Sequence, residues 1–147
     1  MEKAVSGYIT FRMNGRDLAC ELEDVREVVR AIGIEPLPGT RAPVSGMIEL
    51  RNDPLPVVDL RSDAYPGEEG DVLVLNPVDG GSYGVAVDRV LAVVSNDDLV
   101  AEEDEAPAGL PNYVTQVLRR PADRAPVMLV ALRVLAGLDK PEDELTD

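Results

Sequence analysis

Between Val44 and Arg61 the chain reads VSGMIELRNDPLPVVDLR, two short apolar runs hinged on a polar turn and each ended by an arginine. Val44, Ile48 and Leu50 lead into Arg51, Asn52-Asp53-Pro54 breaks the run, and Leu55 to Leu60 resumes it. Two strand-length runs around turn residues form a hairpin signature. The same pattern recurs along the chain, so the sequence is confined to folds made of many short strands.

Gly7 to Met13 alternates, with Ile9, Phe11 and Met13 on one side and Tyr8, Thr10 and Arg12 on the other, which predicts a half-buried strand. Asn14-Gly15 is a strong hairpin turn, and the return strand Arg16 to Leu22 puts Leu18, Cys20 and Leu22 on one face. Leu22, Val25, Val28, Val29 and Ile32 then fall at spacings of three and four, which predicts a short amphipathic helix. Glu21, Glu23 and Asp24 suit its first turn and Gly33 its C-cap. Pro36-Leu37-Pro38-Gly39 reads as an extended connector.

Tyr65-Pro66-Gly67 with Glu68, Glu69 and Gly70 marks an expected junction between two halves, near 64–70. A second hairpin pairs Val72 to Leu75 with Tyr83 to Val87 across Asp79-Gly80-Gly81. Val90 to Val94 follows. Asn96 to Pro111 reads as a solvated loop with one strand around Leu99 to Ala101. Tyr113 to Arg119 and Met128 to Ala131 are the last strands, with a turn at Ala122 to Pro126, a closing helix near Leu132 to Ala136 and a polar tail over 139–147. The pattern describes an all-β chain built from small barrels or a sandwich.

At 147 residues the chain is the size of one domain, and its single cysteine excludes an internal disulfide and suits a reducing compartment. No apolar run approaches the roughly 20 residues that span a bilayer, and the N-terminus lacks a secretory signal, so a cytoplasmic protein is expected. A formal charge of −14 argues against binding a nucleic-acid backbone. The charge is uneven: residues 1–66 hold 8 Lys/Arg against 11 Asp/Glu, and residues 67–147 hold 6 against 17. The arginine-rich first half is the better candidate for a partner surface.

Catalytic equipment is sparse. There is no histidine, hence no phosphorelay histidine and no commonest general base or metal ligand. Cys20 is in phase with Leu18 and Leu22, the position of a core residue, with no histidine to activate it. Asp59 and Asp88 could be imagined as an acid-base pair for a hydrolase, but each lies in a Val-Asp strand pattern that suits backbone capping. The acidic run Glu102 to Glu105 lacks the frame of a calcium loop, and Gly80-Gly81 is too short for a phosphate cradle. No enzyme activity, cofactor or metal is expected, which leaves a binding module.

The central hairpin resembles that of the CheW family, the chemotaxis coupling proteins: Gly46, Met47, Ile48, Leu50 and Arg51 are answered by Pro56, Val57, Val58, Asp59, Leu60 and Arg61. Val25, Glu27 and Val28 resemble the family's Val-x-Glu-Val segment, and Pro36 to Pro38 its Pro-hydrophobic-Pro connector. Gly84, Val87, Asp88 and Val90 resemble its glycine-led strand, and a late strand begins at Tyr113. The resemblance implies two small five-stranded β-barrel subdomains within a single domain over 1–147, with one short helix in the first half and a short C-terminal helix. It implies a non-catalytic adaptor that couples the cytoplasmic tips of methyl-accepting chemoreceptors to the regulatory domain of the histidine kinase CheA, recruited to membrane-associated arrays without inserting in the membrane. Matched residue by residue, it implies a receptor-binding set of Val25, Glu27, Val28, Gly46 and Arg51, and leaves the kinase-binding face unplaced. Asn52, Gln116 and Ala131 depart from the family's residues, which keeps open a CheW-like adaptor of another receptor-kinase pathway, such as surface motility or developmental signalling. A chain starting with methionine and ending in a polar tail is what a free-standing adaptor would have.

Overall fold

Two hairpins set their register through two-residue turns at positive φ. Asn14 (φ 53) and Gly15 (φ 79) join β1 (Tyr8–Met13) to β2 (Arg16–Glu21), and Arg51 (φ 49) and Asn52 (φ 72) join β4 (Gly46–Leu50) to β5 (Asp53–Asp59). Turns of this mirror-image kind match the right-handed twist of paired strands. Met13 thus faces Arg16 and Leu50 faces Asp53. The structure, a computed structural model, describes residues 7–36, 38–39, 43–61, 70–77, 81–101 and 108–139. Its other strands are β3 (Val25–Arg30), β6 (Asp71–Leu75), β7 (Gly84–Val87), β8 (Arg89–Val94), β9 (Val100–Ala101), β10 (Val114–Arg119) and β11 (Pro126–Val130), followed by the short helix α1 (Leu132–Leu135).

These strands form a six-stranded sheet in the order β8-β1-β2-β11-β10-β9 and a five-stranded sheet in the order β3-β6-β7-β5-β4. The all-β class and the short C-terminal helix match the sequence expectation. The chain enters the first sheet, crosses to the second after β2, and returns after β7. The expected junction near 64–70 falls largely outside the described residues, as do the turn at Asp79-Gly80, the acidic run Glu102 to Glu105 and most of the polar tail. The strands flanking that junction, β5 and β6, belong to one sheet; the changes of sheet occur at Leu22–Asp24 and at Asp88.

Both sheets bury apolar residues on both faces. Between them lies a shared layer: Ile9, Phe11, Leu18, Cys20, Val114 and Val130 of the first sheet meet Val58, Leu73, Leu75, Val85 and Val87 of the second, with Leu132 and Ala136 packed against them. Each sheet also carries a smaller apolar cluster of its own. In the second sheet this is Ala31, Ile48, Leu55, Val57, Val72, Val74 and Ala86; in the first it is Ala19, Leu99, Leu118, Val127 and Leu129. This two-sided burial corrects the half-buried reading of β1, in which Ile9, Thr10 and Phe11 are all buried.

The predicted helix over Leu22 to Ile32 is replaced by a single 3₁₀ turn, Leu22–Asp24, and by strand β3. The cause is a β-bulge. Val25 faces Leu75 and Glu27 faces Val74, leaving Arg26 as an extra residue. The inserted residue puts Val25 and Val28 on one face although they are three apart, which counterfeits helical spacing. The branched valines favour the strand, and pairing with β6 satisfies their backbone. Gly33 has a positive φ of 79 in the irregular segment beyond β3, not as a helix cap.

Two outcomes follow from the packing. A Cβ on the buried Gly46 would lie 2.5 Å from the Glu35 carbonyl oxygen, because Glu35 and Met47 exchange both backbone hydrogen bonds there. Gly46→Ala is therefore expected to cost about 1–3 kcal/mol of unfolding free energy in a denaturant titration, as overpacking against backbone does. Cys20 is fully buried, and burial, reinforced by the charges of Asp24 and Glu21, pushes its thiol up to about 12. Its proton is lost first from the unfolded chain, so its contribution to stability is complete below the ordinary thiol range and disappears as pH rises toward about 12. Wild-type stability should fall with pH over that window by as much as about 1.4 kcal/mol per unit more steeply than Cys20→Ala.

Candidate partner-binding site

Cross-strand partners point to the same face of a sheet, so the ladders show where the edge valines face. In β3, Val25 pairs with Leu75 and Val28 with Leu73, and both leucines belong to the shared layer. In β8, Val93 pairs with Ile9 and Val90 with Phe11, again residues of that layer. Here too a bulge, at Leu91 opposite the Thr10/Phe11 step, puts two valines three apart on one face. β3 and β8 are edge strands of different sheets.

Within the first sheet the Leu22 N–H continues the β1–β2 ladder to the Gly7 carbonyl at 3.0 Å, and a Cβ on Gly7 would lie 2.5 Å from the Val94 carbonyl oxygen of β8. Between the sheets the Val90 N–H of β8 donates to Asp71 Oδ2 of β6 at 2.8 Å, while Asp71 Oδ1 lies 3.6 Å from Arg30 Nε of β3. Along these edges the shared layer comes to the surface. Val25 and Val90 are half-buried against it, whereas Val28 is 40% exposed and Val93 63% exposed. Both exposed valines thus stand at the rim of one apolar layer.

Glu27 lies on the other face of β3, paired with Val74 of the second sheet's own cluster. The hairpin tip delivers Arg51 to it: Arg51 Nη1 donates to Glu27 Oε1 at 3.0 Å, and Arg51 Nη2 donates to Glu27 Oε2. This two-pronged pair bridges from β3, one edge of the five-stranded sheet, to the turn beside β4, the other edge. Arg26 adds a looser contact at 3.7 Å. The hydrogen bonds from Arg51 hold the Glu27 carboxyl below its ordinary range, and the same bonds raise the Arg51 guanidinium. Arg51 remains exposed, at 64% of its side chain.

The five residues implied by the resemblance thus divide three ways. Val25 and Val28 face the shared layer at its rim, Glu27 and Arg51 form an ion pair on the opposite side of the same strand, and Gly46 is buried for close backbone packing. Asn52 adopts the left-handed conformation that a glycine would take, so this departure leaves the turn intact. Gln116 lies in β10 and Ala131 just before α1. Val90 and Val93 were not among the candidate site residues because the whole run from Val90 to Val94 is apolar and gives no sign of which side chains stay uncovered.

Asp59 and Asp88 flank Arg61 instead of forming a proton-transfer pair. The Arg61 guanidinium, only 10% exposed, donates through Nε to Asp59 Oδ1 at 2.9 Å and through Nη2 to Asp59 Oδ2 at 2.8 Å. Burial alone would raise the Asp59 carboxyl, but the bonds from Arg61 outweigh it and hold it below its ordinary range. Asp88, 3% exposed, accepts the Asn14 N–H at 3.0 Å and anchors the first hairpin turn. Among the described residues no cluster of three or more His, Cys, Asp or Glu could hold a metal ion, and no helix is long and apolar enough to cross a membrane.

A two-sheet fold with exposed valines at the rim of its core and a surface ion pair on the same edge strand has the character of a protein-binding module. The chain belongs to the CheW-like domain family, which matches it over residues 7–140 and is a family of non-catalytic adaptors. It is similar to the chemotaxis protein CheW of Treponema pallidum (strain Nichols), with 26% identity over 105 residues, which are 65% of this chain and 59% of that protein. The crystal structure of the scaffolding protein TtCheW from Thermoanaerobacter tengcongensis has the same fold, with a TM-score of 0.67 and 20% identity over 90% of this chain and 92% of that one.

The ion pair yields a direct test. Glu27's depressed carboxyl contributes stability that is present above its unfolded range and lost as pH falls through the folded value. Arg51→Gly removes the partner and also relieves a non-glycine residue at φ 49, so the two effects on stability oppose each other. NMR titration of the Glu27 side chain is expected to show its carboxyl returning upward to the ordinary glutamate range in this variant while the fold persists.

Proposed function

We propose that this protein is a coupling adaptor that joins the cytoplasmic tip of methyl-accepting chemoreceptors to the regulatory domain of the histidine kinase CheA. It works by non-covalent contacts alone, as a single domain in the cytoplasm at membrane-associated receptor arrays. The observation that carries the receptor half is the uncovered pair Val28 and Val93, with Glu27 and Arg51 on the other side of the same edge strand. An apolar groove between two strand edges suits one amphipathic helix, which gains affinity by burying its apolar stripe. The exposed face of Arg51, oriented by Glu27, can then select register through charge on that helix. The names of the Treponema and Thermoanaerobacter relatives, a chemotaxis protein and a scaffolding protein, support the same reading.

Calorimetric titration against the isolated CheA regulatory domain and, separately, against a peptide hairpin spanning the receptor tip tests both halves. Wild type is expected to bind both saturably. Val93→Asp, which places a charge on the groove wall, and Arg51→Glu, which reverses the oriented charge, are each expected to weaken receptor-tip binding at least tenfold, a loss of about 1.4 kcal/mol, while kinase binding is retained. Absence of kinase binding by folded wild-type protein would overturn the coupling role, and unchanged receptor-tip binding by both variants would overturn the placement of the groove.

A further inference from the structure

Near Gly7, β8 is held by its own sheet neighbour β1, where a Cβ on Gly7 would come within 2.5 Å of the Val94 carbonyl oxygen. Near its start, β8 is linked to the β3–β6 pair of the other sheet by the carboxylate of Asp71, which is 19% exposed. Oδ2 takes the Val90 N–H at 2.8 Å, and Oδ1 lies 3.6 Å from Arg30 on β3. The corner carrying Asp71 is itself fixed: the Gly70 carbonyl accepts the Ala31 N–H at 3.1 Å, and a Cβ on Gly70, at φ +119, would lie 2.7 Å from the Val87 carbonyl oxygen.

We infer that Asp71 is a positioning residue that sets the separation of the two groove walls, Val28 on β3 and Val93 on β8, and so the width of helix the groove admits. The bond to Val90 carries this role. A backbone N–H to a carboxylate is among the stronger hydrogen bonds, whereas Arg30, with 68% of its side chain exposed, makes a long and solvated pair. The register explains the reach: Arg30 faces Asp71 across the β3–β6 ladder, on the same face as Val28 two residues earlier. A carboxylate at the first residue of β6 therefore points into the gap, where it meets the first N–H of β8 beyond Arg89. The consequence for binding rests on the receptor-tip reading above; the effect on groove width does not.

The test is made on the free protein. Nitroxide labels on Val28→Cys and Val93→Cys, in a Cys20→Ala background, report the wall separation by pulsed dipolar spectroscopy. Asp71→Ala is expected to lengthen and broaden the distance distribution, and Asp71→Asn, whose amide oxygen can still accept the Val90 N–H, to restore it. A folded Asp71→Ala protein with the wild-type distribution would overturn the inference. Hydrogen exchange of the Val90 amide in wild type decides the matter even where Asp71→Ala does not fold: protection supports the strut, and exchange at the rate of an open loop overturns it. In titrations with the receptor-tip hairpin, Asp71→Ala is expected to bind about tenfold more weakly and Asp71→Asn to recover most of the loss, with kinase-domain affinity unchanged. If wild type fails to bind the receptor tip, the functional reading falls while the distance and exchange results still decide the role of Asp71.

Discussion

Phe11 and Cys20 of one sheet, Leu73 and Val87 of the other, and Leu132 of the closing helix meet in a layer from which water is excluded. Fully burying one large apolar side chain contributes roughly 1.5–3 kcal/mol, so this layer is the main force holding the two sheets together. The helix α1 packs against this layer through Leu132, whereas the edge strands β3 and β8 leave part of it exposed. There the layer's outermost side chains, Val28 and Val93, remain uncovered.

Polar groups keep that arrangement from collapsing or opening. Arg61 stands where the chain leaves β5, its stem packed over Gly70 and its guanidinium clasped by Asp59, with the charge of Asp88 nearby. Asp88 in turn holds the Asn14 turn of the other sheet. The pair that sequence reasoning considered for acid-base chemistry thus belongs to a connection between sheets, and its low-lying carboxyl is a sign of structural pairing. Glu27 and Arg51 perform a comparable task at the open edge of the second sheet, but in solvent, where the guanidinium also stays available to another molecule.

Some of this was legible from residue order. Asn14-Gly15 demands a two-residue turn with φ above zero, and the alternation around it fixes which side chains of β2 face inward; Cys20 was placed in the core correctly on that basis. The segment around Val25 was misread because hydrophobic period measures which side chains share a face, and a single inserted residue changes that count in a strand. Val25 and Val28, like Val90 and Val93, are brought onto one face by bulges, and bulges depend on the partner strand rather than on the local residues. Gly46 was named for receptor binding, and its packing role was not visible, since the Glu35 carbonyl that excludes a side chain there lies eleven positions earlier in the chain.

The sequence by itself determined the all-β class, the hairpins, the buried thiol and the family, because turn chemistry and short apolar runs act locally and survive without a partner. Tertiary structure alone decided which valines are half-buried and which exposed, that Glu27 and Arg51 meet while the valines face away from them, and that Asp71 reaches Val90. These are relations between strands brought together by sheet pairing and by the packing of one shared apolar layer, and no window of residues contains them.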